Sequence, residues 1–175
     1  MPRVTLATLF VFLGSSVMFD ISVRRIPNGL SGPGILVGLI LNAAHSGTSG
    51  ILASLAGVGV TIGILIWPFA TGGIGGGDVK MMGAVGAFVG PRLAVMGLVI
   101  GMILGGIIMS VHLARLGQLR NKLASLMTMI RVALLTRSVQ PLIVRGANEA
   151  VIALPYSVPL AMGTVIALGL AWGIG

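Results

Sequence analysis

The chain of 175 residues carries three acidic side chains, Asp20, Asp78 and Glu149, against eleven Lys and Arg. Asp20 opens the stretch DISVRRIPN, 20–28, and Asp78 closes the stretch GGIGGGD, 72–78. Two carboxylates that meet in a fold can do acid–base work. At about 5 Å they repel by roughly 3 kcal/mol for an effective dielectric near 20, so the pair holds one proton between its members and titrates as a coupled dyad. The ionised member takes a proton from water as that water attacks a peptide carbonyl. The neutral member gives its proton to the carbonyl oxygen, and the roles then reverse. No metal or covalent intermediate is required. The same residue types also serve a proton relay in a small transporter. Both aspartates have structural readings as well: Asp20 has Arg24 four residues on in a helix, and Asp78 is placed to cap a helix and meet Lys80. Glu149, beside Asn148 and ahead of an apolar run, is explained as a partner for a helix N-terminus.

Composition sets the elements that must position these groups. The chain is 56% hydrophobic and 8% charged, against about 25% charged in a soluble domain, so it lacks a polar coat and must be an integral membrane protein. Cysteine is absent, which excludes disulfides, thiolate metal sites and cysteine nucleophiles. His45 and His112 stand alone in sequence, and neither a metal nor a cofactor is expected. The net charge of +8 sits beside apolar runs rather than among stacking aromatics. Such residues read as topology signals and contacts for anionic lipid headgroups, not for nucleic acid.

A bilayer span needs about 20 mostly apolar residues. Runs at 4–22, 30–44, 51–70, 79–89, 93–114 and 151–172 predict an all-α membrane protein of about six transmembrane helices, a single domain over 1–175. The first run has Arg3 before it and the stronger Arg24–Arg25 cluster after it, which predicts a retained helix with its N-terminus outside rather than a cleaved signal. With the Arg24–Arg25 turn cytoplasmic and the spans alternating, nine basic residues fall inside, and Arg3 and Arg92 fall outside. That asymmetry sets the orientation. It also puts Asp20 and Asp78 at one depth on the cytoplasmic side, the precondition for a working pair. Between 116 and 139, Leu116, Leu119, Leu123, Leu126, Met127, Ile130 and Leu134 share one helical face, and Arg120, Asn121, Thr128 and Arg131 the other. This predicts an amphipathic helix in the headgroup plane, within a cytoplasmic interfacial segment of about 115–148.

The glycines narrow the choice between chemistries. In GGIGGGD they bare the backbone and make helix costly by about 1 kcal/mol each, so an extended substrate strand can approach and borrow backbone hydrogen bonds. A proton relay needs no such strip. Helix packing explains pairs such as Gly86 and Gly90 within a span, not a cluster between spans. Here Gly75, Gly76, Gly77 and Asp78, then Val79, Lys80, Gly86 and Gly90, resemble the G-x-G-D motif of intramembrane aspartyl proteases. More narrowly, GGGDVKMMGAVGAFVG resembles the type IV prepilin peptidases, and DISVRRIPN is similar to their other aspartate motif. LPYSVPLAMG, 154–163, is similar to the last-span Pro-Tyr segment, with Ser157 where glycine is common.

The resemblance implies a six-span peptidase of the inner membrane that cuts the short basic leader from prepilins at the cytoplasmic face, with Asp20 and Asp78 catalytic. Supporting or substrate-binding roles are expected for Gly75, Gly76, Gly77, Lys80, Arg24, Arg25, Pro27 and Asn28. Large members carry an N-terminal cytoplasmic domain with paired cysteines and also methylate the new pilin N-terminus. This sequence shows neither, so methylation is not expected, and the compact form looks like the peptidases of tight-adherence (Flp) pili or, as the second option, of archaeal preflagellin systems. The alternatives are a proton-coupled carrier and a non-catalytic component of pilus or secretion assembly.

Overall fold

The computed structural model describes residues 2–24, 26–118 and 156–173, with isolated positions between 120 and 131. These form an all-helical structure of four helices: α1 (Arg3–Val23), α2 (Asn28–Ala70), α3 (Gly76–Arg115) and α4 (Ser157–Gly173). The expected amphipathic helix at 116–139 lies mainly outside the described residues, as do Glu149 and Arg25.

Two of the helices are too long to be straight rods. A straight α2 of 43 residues would run about 65 Å, twice the hydrocarbon thickness of a bilayer. Gly47 breaks it, at φ 58° and ψ −136°, a conformation that favours glycine. The chain then doubles back. Asn42 Nδ2 lies 3.0 Å from Ser54 Oγ, whereas a straight helix would separate the two residues by about 18 Å.

Gly90 does the same for α3, at φ 76° and ψ 176°. It is followed by Pro91, which has no N–H to give the Ala87 carbonyl. Asn42 and Ser54 repair this loss. Ser54 Oγ donates to the Ala87 carbonyl at 2.8 Å, and Asn42 Nδ2 lies 2.8 Å from that oxygen and 3.0 Å from the Phe88 carbonyl. In an apolar medium an unmet carbonyl is costly, so this polar cluster fixes both turns against each other.

The breaks yield six rods, 3–23, 28–46, 48–70, 76–89, 91–115 and 157–173. By length and composition, α1, α2 and α3 qualify to cross a membrane. Rod 76–89 lies between the two halves of α2: Gly38 abuts Ala87 and Phe88, and a Cβ on Gly57 would land on the Gly86 carbonyl. Rod 91–115 runs antiparallel to α4, with Gly97 against Thr164, Gly101 against Leu160 and Gly105 against Tyr156. Small residues thus line the contacts, while Val11, Met18, Leu36, Ile40, Leu52 and Trp67 point outward. Water as solvent would reverse that distribution. Lipid does not penalise exposed apolar side chains, and close backbone approach supplies the packing energy. A limited core of large side chains remains around Leu9, Leu65, Met81, Met82 and Phe88.

Candidate active site

α1 delivers Asp20 in its last turn. The helix stops at Arg24, which is left-handed at φ 52° and returns its N–H to the Asp20 carbonyl at 2.9 Å. Pro27 then caps α2, its carbonyl accepting from the N–H of Leu30 at 3.0 Å. α3 delivers Asp78 in its first turn, where the N–H of Asp78 donates to the Gly75 carbonyl at 3.1 Å. The expected span at 79–89 therefore begins three residues earlier, at Gly76, and Gly75 is the N-cap. Asp78 sits inside the helix rather than capping it.

The two helix ends meet at one cleft of about 390 Å³, lined by Asp20, Arg24, Ile26, Gly75, Gly76, Gly77, Asp78 and Lys80. Asp78 is buried, with 8% of its surface exposed; Asp20 is half-buried. Five polar or glycine positions singled out from sequence, Arg24, Gly75, Gly76, Gly77 and Lys80, thus converge with both aspartates. Pro27 and Asn28, both exposed, do not line the cleft. Asn28 is nonetheless connected, because Lys80 Nζ donates to its Oδ1 at 2.6 Å. The ammonium expected to meet Asp78 is held by that amide, and the bond pins the start of α2 to the start of α3.

The glycine run has a local reason that sequence reading did not supply. A Cβ on Gly76 would come within 3.2 Å of the Phe69 ring, and one on Gly77 within 3.2 Å of Ile26. A Cβ on Gly75 would stand 3.2 Å from Asp78 Oδ2. Any side chain there would crowd the walls of the cleft or the carboxylate itself. Of the three, Gly75 is the exposed one.

Ser157 was not singled out from sequence for any role at the site, yet it reaches the pair. Its Oγ–H donates to Asp20 Oδ2 at 2.6 Å and its backbone N–H to the same oxygen at 3.3 Å. A serine opening an apolar helix reads as an ordinary helix start, so its spacing from Asp20 carried no signal. Among the described residues no group of three or more His, Cys, Asp or Glu gathers to hold a metal.

Two carboxylates on one cleft, one buried and one half-open, can share a proton and bracket a water molecule. The model of the type IV leader peptidase family matches residues 7–110, a stretch that contains both aspartates and all but the last turn of α3. No curated protein and no solved structure gives a significant match.

Proposed function

This chain belongs to the type IV leader peptidase family, a family of proteases, and we propose that it removes the short basic leader from type IV or Flp-like prepilins at the cytoplasmic face of the inner membrane. The observation that carries the proposal is the convergence of Asp20 and Asp78, from helices far apart in sequence, on a single cleft. One carboxylate takes a proton from water as its oxygen bonds to the scissile carbonyl carbon. The other gives its proton to the carbonyl oxygen. The tetrahedral adduct then collapses: the C–N bond breaks, and the first carboxyl gives its new proton to the leaving amine. The second takes one back from an adduct hydroxyl as the carbonyl re-forms, and the dyad returns to its starting state. No cofactor enters.

The position of the cleft supports this substrate class. It opens at the ends of α1 and α3, beside apolar rods whose outer faces suit lipid. A substrate with a basic, water-borne leader and a hydrophobic helix would place its junction at that depth. In this reading all six rods cross the membrane, the N-terminus is outside, and the segment 115–148 rests on anionic headgroups. Nine of the eleven basic residues then face the cytoplasm.

Co-expression with a prepilin tests the proposal. Asp20→Asn and Asp78→Asn should each abolish leader removal while the protein still inserts. A proton-coupled carrier would instead lose transport in liposomes without any protein being cut. An assembly scaffold would tolerate both substitutions.

A further inference from the structure

One contact at the cleft plays no part in the chemistry just described. Ser157 is fully buried, at 0% exposure, and sends both its donors to one oxygen of Asp20, Oγ–H at 2.6 Å and N–H at 3.3 Å. The N–H is free to do so because α4 begins at the Tyr156 carbonyl, which accepts from Leu160 at 3.2 Å. The first N–H groups of a helix have no partner inside it. The O–H···O separation falls in the range of a hydroxyl on a carboxylate.

Asp20 needs such a hold. It lies in the last turn of α1 with its side chain half-open to the cleft, where staggered rotamers compete. Ser157, by contrast, sits on a firm base. Two and three residues on, Pro159 and Leu160 are buried against Gly101 and Gly105 of α3. The donor is therefore fixed by the same helix that buttresses the second half of α3.

Resting on the dyad reading, we infer that Ser157 is a positioning residue for Asp20: it pins Oδ2 and turns Oδ1 to the water that attacks the peptide. It touches neither substrate nor water. Its hydroxyl acts through the orientation of the carboxylate, and its loss should slow the chemical step rather than weaken substrate binding, since small misplacements of a reacting group are costly in rate.

The test uses the full chain in liposomes with a prepilin substrate. Ser157→Ala should lower kcat by about 10- to 100-fold with KM and membrane insertion unchanged, and Ser157→Thr should restore kcat. A Ser157→Ala enzyme with wild-type kcat, or one altered only in KM or midpoint, overturns the inference. Should that variant fail to accumulate, Ser157→Gly, which also lacks the hydroxyl, is read by the same criterion. Asp20→Asn separates the two levels. Full cleavage by it defeats the dyad itself, whereas an inactive Asp20→Asn beside a fully active Ser157→Ala defeats only the positioning role.

Discussion

A carboxylate is an expensive guest near a bilayer, at roughly 2.5 to 3.5 kcal/mol mid-helix on insertion scales and less toward the interface, and this chain retains two on one cleft. That scarcity made Asp20 and Asp78 legible in sequence: with three acids in 175 residues, each demanded a reason. Their neighbours were harder to assign. Lys80 looked like a partner for Asp78, but spacing along a helix does not reveal a longer reach, and its ammonium goes to Asn28. Because that bond is exposed and such pairs contribute about 0–1 kcal/mol, Lys80→Met should keep single-turnover cleavage within about fivefold of wild type. A variant as inactive as Asp78→Asn would place the ammonium in the reaction. Ser157 stayed hidden for a related reason: its partner is 137 residues away in sequence, and its one local mark, serine where glycine is common, does not say what it meets.

At the scale of the helices, Gly47 and Gly90 convert two long apolar stretches into four packed rods. The gap between the apolar runs 79–89 and 93–114 and the polar stretch HSGTSG around Gly47 marked the two breaks, but Gly90, read with Gly86 as a packing pair within a span, is itself the turn ahead of Pro91. What sequence concealed was their common anchor. Asn42 looks like an incidental polar residue at the end of an apolar run, yet it serves the carbonyls ahead of the Gly90 turn and meets the Ser54 hydroxyl across the Gly47 turn. Its Nδ2 has two hydrogens and three acceptors within 3.0 Å, so the site has acceptors to spare. Asn42→Ala would remove the side-chain donor from the Phe88 carbonyl, whereas Ser54 still serves Ala87. Hydrogen bonds between membrane helices average about 0.6 kcal/mol, and an unsatisfied buried group costs about 1–3 kcal/mol. Since a donor is lost at buried Phe88, beside the Gly90–Pro91 break, the cost lies nearer the second figure. Asn42→Ala should lower unfolding stability by about 1–2 kcal/mol in a reversible detergent titration, with cleavage intact well below the midpoint.

For the whole molecule, the order of the apolar segments and the all-helical class were legible because lipid imposes long apolar runs and leaves backbone few options. The mutual packing of the rods was not, because it depends on glycines meeting glycines, as at Gly57 and Gly86, and many other glycines of this chain face open space. The sidedness of the molecule can be read directly, since it has no cysteine and single cysteines can be introduced without background. Thr48 and Gln118 are both exposed. An impermeant maleimide should label Thr48→Cys in intact cells, and Gln118→Cys only after permeabilisation; the reverse pattern would invert the topology and move the cleft to the outer face.

The dyad itself is tested most directly with purified protein in liposomes, a prepilin bearing a basic leader, and a strong metal chelator throughout. The wild-type chain should cut once, at the junction of leader and hydrophobic helix, and Asp20→Asn and Asp78→Asn should each show no cleavage although both insert. Full cleavage by either variant would contradict the account.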